Sequence, residues 1–179
     1  MNKLFLIISL LLCFQSDAPE FSWHENHKLK WADFQGKPDL NSKAAAVTAS
    51  GITFSYSIEK SSVRGITGFT TKVFAHFYPE HSWCKKEVIN AHILNHEQFH
   101  FNITELNVRY FREHISNLKI SSNIAKQLST LHKQANIDLS TMQKLYDAET
   151  NYSINKEEQA RWVAFINREL KRLEKFKSK

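Results

Sequence analysis

Glycine, proline and cysteine are all scarce in this chain of 179 residues, at 4, 3 and 2. With so little glycine and no serine-rich tract beside it, no flexible linker divides the sequence, and one domain is expected. Internal repeats and low-complexity segments are absent as well. If Cys13 leaves with a cleaved leader, only Cys84 remains and no intramolecular disulfide can form. The fold must then rest on its core or on a metal. Cys84 itself reads as a structural thiol.

Long apolar runs are lacking too, except at the start. Leu4 to Phe14 follows Met1-Asn2-Lys3 and is too short for a typical transmembrane helix. The pattern predicts a secretory signal peptide over residues 1–18, with the folded domain over 19–179. A lipoprotein signal ending at Cys13 is the less favoured version, because the small residue expected before the cysteine is missing. Export to the periplasm or beyond follows. No later segment is apolar and long enough for a stable membrane span. The net charge of +6 gathers partly at Lys171, Arg172, Lys175, Lys177 and Lys179. No nucleic-acid motif accompanies it, so a solvated helix end is expected rather than a nucleic-acid partner.

What is present sorts into two halves. Ile52, Phe54, Tyr56 and Ile58 alternate with Thr53, Ser55 and Ser57, and Phe69, Thr71, Val73, Ala75 and Phe77 share one side of a second run. That period of two predicts half-buried strands, joined by a turn near Gly65. Phe21 to Trp23 and Leu29 to Trp31 are weaker strand candidates. From Trp83 to His114 neither proline nor glycine interrupts, and a long helix is expected. A second helix is expected over Ser122–Gln134, broken near Asn136-Ile137-Asp138. Ser140 with Gln143 suggests a cap starting the next piece, and Asn155 with Glu158 a cap for the last helix. The fold class is α+β, a small N-terminal antiparallel sheet packed on a C-terminal helical part.

The long helix carries His96-Glu97-Gln98-Phe99-His100. On a helix, residues four apart stand one turn apart on one face. Two imidazoles so placed can grip one Zn2+, and Glu97 can take the proton of a metal-bound water. Chance alone yields this pattern about 0.03 times in such a composition. His92, His96 and His100 fall in the apolar stripe, with Asn95, Gln98, Asn102, Glu105 and Arg109 expected on the opposite, solvent side. Glu105 is then half a turn round from His96 and cannot complete the site. His92 is one turn too far along a straight helix and is assigned support or packing.

A catalytic zinc commonly takes three protein ligands. The third must come from another element, and Asp147 and Glu149 are the acidic candidates. His76, His81 and His132 are weaker ones. Tyr146 and Tyr152 are candidates for donating to an oxyanion, against a packing role.

The ordered set of Trp31-Ala32-Asp33-Phe34-Gln35-Gly36-Lys37-Pro38, Ser82-Trp83, His96 to Phe101, Glu105-Leu106, Arg109, Tyr146-Asp147-Ala148-Glu149-Thr150 and Gln159-Ala160-Arg161-Trp162 spans nearly the whole mature chain. It resembles a bacterial family of unknown function described as predicted secreted zinc-dependent proteases. The resemblance implies an exported Zn2+ peptidase acting on a peptide or protein. Members tend to carry a histidine and a glycine shortly after the Asp-x-x-Thr pattern, where this chain has Tyr152-Ser153. That departure motivates the alternative, a non-catalytic exported binding domain with a degenerate or structural metal site.

Overall fold

The computed structural model describes residues 20–178. The expected signal peptide and Cys13 lie outside them. The fold is α+β, as the alternation and the helical spacing imply.

Two long strands, β3 (Ser50–Ser61) and β4 (Gly65–Phe77), form an antiparallel hairpin. Gly65 closes its turn at φ 73°, a left-handed conformation that costs glycine little. The short β1 (Phe21–Ser22) adds to the other edge of β4, opposite Phe77 and His76. A separate two-stranded piece pairs β2 (Ala46–Val47) with β5 (Trp83–Cys84). Leu29 to Trp31 is not a strand. Trp31–Asp33 is a 3-10 turn, because the Lys30 N–H finds the Asp33 carboxylate at 2.7 Å. The segment after it docks on residues 79–82: Gly36 N–H donates to Ser82 O at 2.7 Å, and a Cβ on Gly36 would lie 2.7 Å from Glu80 O.

Three helices follow. These are α1 (Ala91–Ser116), α2 (Ile124–Thr150) and α3 (Lys156–Arg172). Helix α1 starts seven residues after β5's Cys84, not at Trp83. The Asn90 side chain accepts from the N–H groups of His92 and Ile93 at 2.9 and 3.0 Å, and that cap fixes the start. Helix α2 runs unbroken through Asn136-Ile137-Asp138. Those side chains are exposed, and they bond within the helix: Asn136 to His132 O at 2.9 Å, and Gln134 to Asp138 at 2.8 Å. Polar residues that compete with a helix elsewhere are here accommodated by it. Ser140 and Gln143 are therefore interior residues. Asn155 does cap α3, accepting from Glu158 N–H at 3.2 Å.

Every residue of α1 from His96 to Arg109 is buried. The sheet covers one side, through Phe77 against Phe101 and Phe54 against Phe111. Helices α2 and α3 cover others. Asn95 is exposed as the periodicity implies, but Gln98, Asn102, Glu105 and Arg109 on the same side are buried, contrary to that reading. Trp23 Nε1 donates to Asn102 at 3.0 Å, Gln98 accepts from Leu29 N–H at 2.8 Å, and Glu105 pairs with Arg109 at 2.8 Å. Hydrogen-bonded partners from both chain ends make burial of those groups tolerable. Among the described residues no helix is long and apolar enough to cross a membrane.

Candidate metal centre

Helices α1 and α2 pack antiparallel. His100 meets Gln143 and Asp147, while Asn107, two turns on, meets Met142. This crossing delivers the third group that the two histidines require. Asp147 Oδ1 lies 3.2 Å from His96 Nε2 and 2.9 Å from His100 Nε2, and the two Nε2 atoms are 3.1 Å apart. Glu149 points elsewhere, accepting from Trp162 Nε1 at 2.7 Å, so Asp147 is the one of the two acids that converges on the histidines. Of the expected residues, His96, His100 and Asp147 converge, and no other group of three histidine, cysteine or acidic side chains among the described residues does so. His76 pairs with Glu20, and His132 stacks between Phe54 and Phe111.

These three contacts cannot all be hydrogen bonds. A carboxylate oxygen only accepts, so both rings must present Nε2–H to it. Two Nε2–H groups would then oppose each other at 3.1 Å. If either ring gives up that proton, its bare nitrogen faces the carboxylate. A cation between the three atoms attracts all their lone pairs at once. Zinc–nitrogen and zinc–oxygen bonds of 2.0–2.2 Å at tetrahedral angles put neighbouring ligand atoms about 3.3 Å apart. The observed edges are close to that face. A donor set of two imidazoles and one carboxylate suits zinc, and the residues fit the ion.

The surroundings orient the ligands. Gln143 Oε1 accepts from His100 Nδ1–H, which leaves Nε2 of that ring bare for a metal. Gln143 also donates to His100 O at 2.9 Å. Sequence reading placed Gln143 in a cap. Its spacing, four residues before Asp147, was the available sign that it shares the ligand's face. Tyr146 is wholly buried and lies parallel to the His96 ring, centroids 4.5 Å apart. It packs and holds the ring. Burial, then the charges of Glu97 and Asp147, push its phenol far above the ordinary range. His92 Nε2 meets Ser153 O at 2.7 Å and so supports the loop beyond α2, as expected of a residue outside the ligand set.

Glu97 is buried, and its Oε2 has no hydrogen-bond partner among the described residues. It lines a cleft of about 710 Å3 together with His96, His100, Asp147 and Tyr152. Tyr152 is 60% exposed at that cleft. An uncommitted buried carboxylate beside a metal-ligand triangle is what proton transfer requires.

Electrostatics ties the site to pH. Burial lowers the His100 pKa, but the Asp147 hydrogen bond and the charges of Glu97 and Asp147 outweigh it, and the pKa is raised. Burial raises the Asp147 carboxyl, and the His100 and His96 hydrogen bonds overcome this and hold it well below the usual range. In the metal-free chain the Asp147 contribution is complete above about pH 3.9 and is lost as pH falls through the folded value. The His100 contribution is complete below about pH 6.5 and is lost as pH rises through its raised value. Metal-free protein should therefore be most stable between those limits, as urea midpoints across pH 3–8 would read out. A zinc ion held through His100 would compete with the ring's proton, so its apparent affinity should fall about tenfold per pH unit below the raised pKa. Competition with a chelating dye measures that slope; a flat profile would count against His100 as a ligand.

No family model, no curated protein and no solved structure matches this chain.

Proposed function

We propose that this protein is an exported zinc-dependent hydrolase, and specifically a peptidase. One observation carries the reading: two imidazole nitrogens and a carboxylate oxygen meet at 2.9–3.2 Å, with the unpartnered Glu97 carboxylate lining the same cleft. The resemblance in the ordered motifs supports the same class, and the pattern of residues 1–18 supports export.

His96 and His100, as neutral imidazoles, and Asp147, as a carboxylate, would hold Zn2+. When bound there it would supply Lewis-acid chemistry. Glu97 accepts the proton of the attacking water and delivers it to the leaving amine. Gln143 and Tyr146 keep the two rings in place. Glu97 itself is 3% exposed in the cleft.

Replacing Glu97 by glutamine keeps shape and removes the base. Glu97→Gln is expected to retain one zinc per chain by elemental analysis and to lose about 1000-fold in kcat on an unfolded protein substrate. Equal turnover by variant and wild type would sink the mechanism. Bound zinc with no cleavage by the wild type would favour the alternative, a non-catalytic domain with a structural metal.

A further inference from the structure

The three-stranded sheet runs in the order β1-β4-β3, so one edge of the long strand β3 pairs with no other strand among the described residues. Tyr78 N–H donates to Ala49 O at 2.9 Å, which extends by one residue the ladder that sets Ser50 opposite Phe77. In an antiparallel pair, the main-chain groups of successive residues point alternately toward and away from the partner. Ala49 points toward β4, and so do Gly51, Thr53, Ser55 and Ser57. The N–H and C=O of Ile52, Phe54, Tyr56 and Ile58 therefore point to the open side. None of the residues of β3 is fully buried, and Thr53, Ser55, Tyr56 and Ser57 are exposed. The edge leads away from the metal centre. Ser50 lines the cleft, but Phe54 lies against Phe111, about three turns of α1 beyond His100.

Exposed edges in folded proteins are commonly guarded by charges, prolines or bulges. From Ser50 to Ile58 this edge has neither charge nor proline, and the bulge comes only at Glu59 and Lys60. Tyr56 adds a second sign. It shares the inward side with Phe54 and stacks on it at 5.6 Å, yet it is 40% exposed. A two-fold dimer pairs residue i with j and j with i. With Ser55 on the two-fold axis, Phe54 meets Tyr56, Ile52 meets Ile58, and Thr53 meets Ser57. Aromatic, aliphatic and hydroxyl pairs of this kind stabilise neighbouring strands. Glu59 falls opposite Gly51, so no like charges face each other. Centring on Tyr56 would instead set Ile52 against Lys60, and centring on Phe54 would set Ile58 against Ser50.

We propose that β3 is a self-association edge, at which a second copy of this chain adds its own β3 antiparallel, with Ser55 on the two-fold axis. The two sheets then join into one of six strands, and the second copy covers Tyr56. This goes beyond the hydrolase reading and does not depend on it.

The test is sedimentation equilibrium on the full chain. One strand-length contact is at the small end of specific interfaces, and a dimer Kd of about 10 µM is expected. Ser55 faces itself in a pair without hydrogen bonds, where side chains stand closest. Ser55→Lys and Ser55→Glu, each on an exposed site, should each weaken the dimer about tenfold or more through like charge. An equal mixture of the two variants should restore a dimer at least as tight as wild type. Hydrogen exchange at dimer concentrations should slow at the amides of Ile52, Phe54, Tyr56 and Ile58, and stay unchanged at Thr53, Ser55 and Ser57, already paired with β4. A chain that stays monomeric about tenfold above the expected Kd would leave this edge to another partner and overturn the proposal. A dimer indifferent to both charges, or a mixture that fails to restore it, would overturn it equally, whatever the outcome for zinc and cleavage.

Discussion

Asp147→Ala is expected to lower zinc affinity about 100-fold or more while leaving a folded protein. The magnitude follows from sharing out the ~10–16 kcal/mol of apparent free energy that a four-ligand structural zinc site provides, or roughly 3 kcal/mol per ligand. The fold survives because the Asp147 side chain is 31% exposed and its contacts are to the two histidines rather than to the core. Removing the carboxylate also removes the chief influence holding the His100 pKa up. Metal-free Asp147→Ala should thus lose much of the dependence of stability on pH that His100 gives above about pH 6.5. Glu149→Ala is the control. Its carboxylate binds Trp162 Nε1 at 2.7 Å, so the loss should appear in stability and not in zinc affinity. Equal zinc affinity for wild type and Asp147→Ala by dye competition would remove Asp147 from the ligand set and leave two histidines without a third partner.

The contrast between Asp147 and Glu149 shows where sequence reasoning reaches its limit. The spacing of His96, Glu97 and His100 is local: four residues on one helix have one geometry, and the structure keeps it. The period of two in β3 and β4 is local in the same way, and their inward residues are the ones read from it apart from Tyr56, which is 40% exposed. Which of two acids reaches a site on another helix depends on how α1 and α2 cross, and no local pattern contains that. The same limit hid the surroundings of α1. An apolar stripe with a polar opposite face reads as a surface helix. Here Trp23, Leu29 and Ser178 come from the far ends of the chain to satisfy Asn102, Gln98 and Glu105. The polar face is polar because it is wired, not because it is wet. Asn136 to Asp138 misled for a third reason. Their tendency to break helices acts through side-chain bonds to the backbone, and on the open side of α2 those side chains bond within the helix instead.

Glu105→Ala is expected to cost about 3–5 kcal/mol of folding stability, a large share of the 5–15 kcal/mol typical of a domain. Glu105 is fully buried and accepts from Arg109 Nε at 2.8 Å, from Ser178 N–H at 3.0 Å and from Ser178 Oγ at 2.7 Å. Arg109 is 1% exposed, with its guanidinium carbon 5.3 Å from the centre of the Trp23 ring, and it also donates to Leu170 O. One ion pair thereby holds the C-terminal segment and the N-terminal Trp23 onto the middle of α1. Deleting the carboxylate leaves a buried cation and two orphaned donors, and the penalty comes from those groups more than from the lost attraction. Glu105→Leu with Arg109→Met should therefore be less damaging than the sum of the two single changes, since it removes both charges together. A double-mutant cycle from urea unfolding measures the coupling. Additive effects would mean that the two charges act independently and that the pair does not clamp the chain ends. A strong coupling would explain how a chain with no disulfide among its described residues keeps the helix bearing His96 and His100 rigid over the reach of α1. The His96–His100–Asp147 triangle depends on that rigidity, because one edge is set within α1 and the two edges to Asp147 are set by the crossing of α1 and α2.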